Sequence, residues 1–401
     1  MDFDDTPEEV AFRAGARSWL SAHAKLRSAD TAPPVTLTEA FSEEEQEHIR
    51  QSKRWQATLY DGGWAGITWP KEHGGRGGTP IQAAIFAQEQ AAFDVPDTIF
   101  AQGIGMGGPA LMAHGSQAQK DRFLPPMLRG DEVWCQLFSE PGSGSDLASL
   151  ATRAERDGDH WIVNGQKVWT SSAHFSDWGI LLARTGEQSD RHRGISYFLL
   201  DMRSPGVEVR PIHQMTGGSH FCEVFFADVA VPHANLVGEI NGGWAVTMTT
   251  LTSERTLISN LWEDRFAKVY DLARQTSANT DPLLRQRLAQ AHIRSELIKY
   301  LGWRQQTAMS RGTPAGPESS VAKLALSLLL GEIGDLIMAL RGTAGTVTSD
   351  DPHLRYLDSL FVGQWSSRIG GGTEQIQRNI IGERLLGLPR EPNRVSPASA
   401  P

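Results

Sequence analysis

Cysteine is scarce: Cys135 and Cys222 are the only two in 401 residues. That excludes a disulfide framework and fits a reducing compartment. Cys135 lies in an apolar run, so it reads as a packed thiol rather than a nucleophile. Long apolar runs are missing too, and none approaches the ~18 residues that a membrane span needs. There is no basic block, and the formal charge is −9 with an isoelectric point near 5.8. Nucleic acid is therefore not an expected partner. The start, MDFDDTPEEV, is acidic where a secretory signal or transit peptide is basic. The expected location is the cytoplasm. Twelve tryptophans point to large interfaces as well as core.

The length suits two or three domains. Residues 1–130 read as a helical domain. Thr6-Pro7-Glu8-Glu9 starts its first helix, with Pro at a first helical position and acids behind it. Phe41 to Tyr60 is a charged helix, and Thr79 to Phe93 another. Between them, the glycine-rich loop Trp69 to Gly78 reads as a plain turn, since no strand precedes it as a dinucleotide fingerprint requires. Residues 131–240 change to a period of two, with short runs separated by turn residues. That pattern suggests a small β-sandwich or barrel. Residues 241–390 are helical again and read as a four-helix-bundle-like domain, so the chain is expected to be an α+β multidomain protein. One long helix is expected from Trp244 to Ala273. Others start at Asp281-Pro282, at Pro317 and near Pro352, and a last one is capped by Thr373. The tail, 391–401, is rich in Pro and Ser and reads as flexible.

The stretch Val133 to Ser172 carries the chemistry. Ser139-Glu140-Pro141-Gly142-Ser143-Gly144-Ser145-Asp146 is a tight polar turn whose small residues let backbone approach a phosphate or a ring. Trp161 to Ser171 alternates like a strand pair, and Asn164-Gly165 is a strong hairpin signal. Trp169 and Ser171, two apart, are expected on one face of a strand. A polar turn beside an aromatic and a hydroxyl suits a flat, polar-edged ring such as a flavin.

The order helical, β, helical, together with four motifs, resembles the acyl-CoA dehydrogenase family over nearly the whole chain. The turn from Ser139 to Asp146 is similar to the family's first signature. Asn164 to Ser171 resembles its flavin-facing hairpin. Phe225-Phe226-Ala227-Asp228-Val229-Ala230-Val231-Pro232 resembles the strand that leaves the β-domain. Gly371-Gly372-Thr373-Glu374-Gln375 through Arg384 resembles the signature of the last helix. The resemblance implies FAD, bound between the β-domain and the C-terminal helices. Phe138 and Ser139 then lie against the isoalloxazine, with Ser139 at its polar edge. Gly144 and Ser145 lie where the pyrophosphate or the CoA arm passes. Trp169 covers one face of the ring, Ser171 bonds near N5, and Thr373 and Gln375 hold the cofactor further along.

The implied reaction is α,β-desaturation of an acyl-CoA thioester, with electrons passed to electron-transferring flavoprotein. The α-proton is a weak acid, so the site must stabilise an enolate-like oxygen and supply a strong base. Many family members carry that base as a Glu just before the Gly-Thr of the last signature. Here Gly371 stands in its place, and glycine takes no proton. Another branch of the family carries the base on the long helix after the β-domain. Leu251-Thr252-Ser253-Glu254-Arg255 is similar to that pattern, with Glu254 as the base and Arg255 beside it as a substrate contact. The Gly371 N–H is left to serve the thioester carbonyl.

Homo-oligomeric relatives hold the ADP half of a neighbour's FAD with an Arg-x-x-Phe and with a Gln ahead of a Gly-Gly-x-Gly stretch. Here the matching places read Arg274-Gln275-Thr276-Ser277 and Ala339-Leu340-Arg341-Gly342. In this the chain resembles the catalytic half of actinobacterial heterotetramers that desaturate bulky steroid side-chain CoA thioesters. A related subunit is therefore an expected partner, with a homo-oligomer as the alternative. Two other readings share the fold: a flavin oxidase or monooxygenase, and a non-catalytic subunit of a mixed tetramer. Glu254 and the intact flavin motifs speak against the last.

Overall fold

The computed structural model describes residues 5–28, 39–260, 265–276, 280–311 and 316–390. The expected tail, Ser277 and the side chain of Arg255 lie outside the described residues.

The first helix, α1 (Pro7–His23), begins as its sequence dictates. Thr6 caps it, and Glu9 closes the reciprocal capping box. Its basic face is pinned to α3: Arg13 and Arg17 share the buried Glu89 at 3.0 and 2.7 Å. A two-residue ribbon, β1 (Lys25–Leu26) with β2 (Phe93–Asp94), brackets α2 (Glu43–Asp61) and α3 (Pro80–Gln90). The loop from Trp69 to Gly78 contains only a short 3-10 turn, Lys71–His73. A π-turn, Gly103–Gly107, leads into α4 (Gly108–His114), and α5 (Gln117–Arg129) closes the helical part.

The β-region holds β3 (Trp134–Leu137), β4 (Arg153–Asp157), β5 (His160–Ser171), β6 (Trp178–Arg184), β7 (Ile195–Asp201), β8 (Val207–Pro211), β9 (Phe221–Pro232) and β10 (Leu236–Val237). They form one hydrogen-bonded path, β10-β7-β6-β4-β5-β9-β8, with β3 added parallel to β6. The joint between β4 and β6 is a single residue pair, Arg153 with Arg184. The path therefore folds over, and Leu137, Val163, Leu181, Phe198, Val224 and Val229 fill the space inside it. The opposite faces of β6 and β7 present Ile180, Leu182, Tyr197 and Leu199 to the N-terminal helices. Strands buried on both faces read as continuous apolar runs, as these two do.

The C-terminal part contains α6 (Gly243–Asn260), α7 (Arg265–Gln275), α8 (Pro282–Ser310), α9 (Glu318–Arg341), α10 (Pro352–Ile369) and α11 (Glu374–Ile380). The long helix expected from Trp244 to Ala273 corresponds to α6 and α7, and residues 261–264 between them lie outside the described residues. Val269, Leu288, Ala291, Leu329, Ile333 and Leu357 are among the side chains that pack this bundle. Tyr197 of β7 joins Thr250 of α6 by a 3.2 Å hydrogen bond, which fixes α6 against the β-region.

One expectation is corrected. Asn164-Gly165 is not a hairpin: β5 runs unbroken through it, and the reversal lies at Gly158-Asp159 between β4 and β5. The ladder slips there instead, because β9 bulges at Asp228, which has φ +52°. Asn164 bonds Asp228 twice: its amide Nδ2 donates to the carboxylate, and its Oδ1 accepts from the Asp228 backbone N–H.

Candidate active site

Two clusters of expected site residues form, one at the edge of the β-region and one between α6, α9 and α11. At the first, Glu140 and Ser143 pair their backbones at 2.9 and 3.0 Å and close the polar turn. The buried Glu140 carboxylate accepts from the Ala151 and Thr152 N–H groups at 2.6 and 2.9 Å and from the Lys167 ammonium at 2.8 Å. Lys167 also donates to the Phe138 carbonyl at 3.0 Å. Burial pushes the Lys167 ammonium down to about 8, against the pull of Glu140. Burial alone would raise the Glu140 carboxyl, but Lys167 and the N–H donors outweigh it and hold it below its ordinary value.

Those bonds bring the turn to β5. The Val168 N–H donates to the Ser139 carbonyl at 2.9 Å, so Ser139 stands next to Trp169. Here β5 bulges: Lys167 faces Val224 but Thr170 faces Cys222, which leaves one extra residue on β5. Trp169 takes a left-handed backbone, φ +60°, and its side chain is 59% exposed. The bulge also breaks the simple alternation expected for Trp169 and Ser171. Trp169 is exposed, Thr170 is buried and Ser171 is half-buried. The Thr170 hydroxyl is buried with no hydrogen-bond partner among the described residues. Phe138 is a core residue whose ring stands edge-on to Tyr197.

The second cluster surrounds a cavity of about 460 Å³. Ser145 reaches it from the polar turn, Met248, Leu251 and Thr252 from α6, Ser320 from α9, and Ile376 from α11. Glu254 follows on α6 and is half-buried. Gly370 to Gly372 connect α10 to α11, with φ +66° at Gly371 and +91° at Gly372. The Gln377 amide holds this loop by donating to the Gly371 carbonyl at 3.0 Å. Thr373 accepts from the Ile376 N–H at 3.2 Å and so caps α11. Gln375 and Gly144 are exposed.

Two residues of this second region, Ser320 and Lys323, carried no sequence signal, and Arg384 entered only as the last residue of the last-helix motif. The Ser320 hydroxyl is fully buried and unpartnered among the described residues. A buried polar atom without a partner inside a cavity is costly, and a bound ligand removes that cost. Arg384 places a cation at the same cavity. Among the described residues no group of His, Cys, Asp and Glu could hold a metal, and no helix is long and apolar enough to cross a membrane.

Comparison with known proteins gives one answer along the chain. The N-terminal, middle and C-terminal domain models of acyl-CoA dehydrogenase match residues 6–131, 135–229 and 241–386. Acyl-CoA dehydrogenase IpdE1 of Mycobacterium tuberculosis is 40% identical over 396 residues, covering 95% of this chain and 98% of the relative. The structure described as the Tcur3481-Tcur3483 steroid ACAD matches with a TM-score of 0.80 at 27% identity, covering 98% of this chain and 100% of that one. A structure of the ChsE4-ChsE5 complex from Mycobacterium tuberculosis matches with a TM-score of 0.77 at 30% identity and the same coverages. The chain belongs to the acyl-CoA dehydrogenase family of oxidoreductases.

Proposed function

We propose that this protein is an FAD-dependent dehydrogenase that desaturates the α,β-bond of a bulky acyl-CoA thioester. In this reading its electron-accepting partner is electron-transferring flavoprotein. The residues present fit a flavin: an exposed indole at a strained bulge, next in sequence to the buried Thr170 hydroxyl, which has no partner among the described residues, suits a flat ring with polar edges. Ser139, Trp169 and Ser171 would hold the ring, and Thr373 and Gln375 would lie further along the cofactor. When bound, FAD supplies the acceptor for the hydride that leaves the β-carbon.

The chain's own residues do the rest. Glu254 takes the α-proton onto its carboxylate. The Gly371 N–H donates to the thioester carbonyl oxygen as negative charge develops there. Ser145 and Arg255 contact the CoA thioester. The observation that carries this reading is the left-handed backbone at Gly371. No carboxylate stands at that position, so a base must come from elsewhere, and Glu254 follows the cavity-lining Leu251 and Thr252 on α6. The cavity volume and the steroid-associated neighbours support a bulky acyl group. The neighbours' mixed complexes support a related subunit as partner.

The deciding experiment is a screen of acyl-CoA thioesters for flavin bleaching, with and without a candidate partner subunit, followed by Glu254→Gln. That variant should bind the best acyl-CoA and fail to bleach. Bleaching at the parent rate removes Glu254 as the base.

A further inference from the structure

Arg184 ends β6 at the one residue pair that joins β4 to β6, and it is only 1% exposed. A guanidinium keeps its charge at any depth, so burying one is costly unless its N–H groups are met. Here its hydrogen bonds go to backbone carbonyls. Nε donates to Leu150 at 3.1 Å and Nη2 to Ala148 at 2.8 Å. Nη1 donates to Arg191 at 3.1 Å and to Glu187 at 3.3 Å. The acceptors lie on two loops. Ala148 and Leu150 belong to the connection from β3 to β4, which continues the polar turn, and Glu187 and Arg191 to the connection from β6 to β7. Both loops line the 460 Å³ cavity: the first with Ser145 to Ala148, the second with His192. A planar fork whose donors point in fixed directions holds two such loops at one separation.

The second loop bears the mark of being held. Arg191 takes φ +49° with ψ −114°, a backbone that residues with side chains rarely adopt and that persists only where the surroundings impose it. Its carbonyl is one of the acceptors of the fork, and its own side chain pairs with Asp146 of the first loop at 2.7 Å. That outer pair is exposed and therefore a weak tie. The buried fork is the stronger one. Gly194, at the end of the same loop, makes room for it. A Cβ there would stand 2.9 Å from Arg184 Nη1 and 3.0 Å from the Glu187 carbonyl oxygen, so the fork occupies the space a side chain would need.

We propose that Arg184 is a positioning residue that fixes the separation of the two β-region walls of the cavity, and thereby the fit of the acyl-CoA. The proposal rests on the reading of that cavity as the acyl-CoA site. Glu254 and the Gly371 N–H lie on α6 and on the loop from α10 to α11, whereas the hydrogen bonds of the fork stay within the β-region. Loosening the walls therefore weakens the hold on substrate and transition state alike and leaves the chemical step as it was.

The test is steady-state turnover of the FAD-loaded protein, with its partner subunit where activity needs one, on the acyl-CoA that bleaches it best. Arg184→Lys keeps the cation and loses the fork. It should retain FAD and raise KM by at least about tenfold, with kcat within about threefold of the parent. Gly194→Ala keeps the guanidinium and pushes it from its place, so KM should rise in the same way. If Arg184 served only as a charge, or only the stability of the fold, Arg184→Lys would turn over with the parent KM, and that result overturns the proposal. A kcat that falls while KM holds overturns it too. Should Arg184→Lys not fold, Gly194→Ala decides by the same two criteria. Leu251→Trp, which intrudes on the cavity from α6, separates the failures. If that variant keeps the parent KM, the cavity is not the acyl-CoA site and that reading is at fault. If its KM rises while Arg184→Lys keeps the parent value, the role of Arg184 is at fault.

Discussion

The Lys167 ammonium sits 2.8 Å from the Glu140 carboxylate, and both groups are buried. This pair ties the strand that carries Trp169 to the turn that carries Ser139. Removing one partner leaves the other charge stranded, whereas removing both is far milder. Lys167→Met should therefore cost about 3–5 kcal/mol in urea unfolding, and Lys167→Met with Glu140→Gln should recover much of it. The pH dependence has a definite sign. The folded pKa of Lys167 is depressed to about 8 from 10.5, so the native state sheds this proton first, and stability rises across that window. Glu140 is also depressed, so its contribution is present above its ordinary 4.5 and is lost as pH falls. The double variant should show neither slope. A single variant as stable as the parent would sink the idea that the pair is a joint.

Much of this was legible because the relevant signals are local. Thr6-Pro7 and Thr373 mark helix starts by their own chemistry, and both cap as expected. The family motifs likewise sit in continuous stretches. The failures are non-local. Asn164-Gly165 has the residues of a tight turn, but Asp228, 64 positions later, takes up the Asn164 side chain and keeps the strand running. The bulge at Trp169 depends on the register of β5 against β9, which no alternation within β5 encodes. Ser320 and Lys323 look like ordinary helix residues. Their burial comes from α10 and α11, which reach α9 only in the folded chain.

The two cysteines give a direct check on the β-region. Burial pushes the Cys135 thiol up to about 12 and the Cys222 thiol to about 11. At pH 8 their thiolate fractions are on the order of 10⁻⁴ and 10⁻³, and both side chains are shielded. A disulfide reagent such as DTNB should titrate neither in the native protein and both after denaturation. Fast native reaction of either thiol would show that the β-region is not packed as described.

Gly371 is the position where a left-handed backbone matters. Its φ of +66° disfavours any side chain, and the Gln377 amide holds its carbonyl in place. Gly371→Ala should cost about 1–2 kcal/mol in stability, because the added Cβ crowds the neighbouring carbonyl. It should also raise the KM for acyl-CoA, as the N–H is turned from its bearing. Equal stability and an unchanged KM would mean that the loop tolerates another backbone conformation.

Trp169 carries the same kind of strain for a different purpose. A bulky residue at φ +60° with its ring in solvent is a poor choice for folding alone. Its intramolecular ring contact is edge-on to Phe221 at 6.1 Å, worth about 0.5–1.5 kcal/mol. Trp169→Gly loses that contact and some chain entropy but relieves about 1–2 kcal/mol of backbone strain. The apoprotein should therefore unfold within about 1 kcal/mol of the parent, since these terms nearly cancel. FAD retention should not be spared. Loss of an aromatic cover over the ring should weaken cofactor binding by at least about tenfold, read as flavin released on dilution. A variant that keeps FAD as tightly as the parent would place the ring elsewhere. A variant that unfolds readily would mean that the indole serves the fold, and the strain at this bulge would then need another explanation.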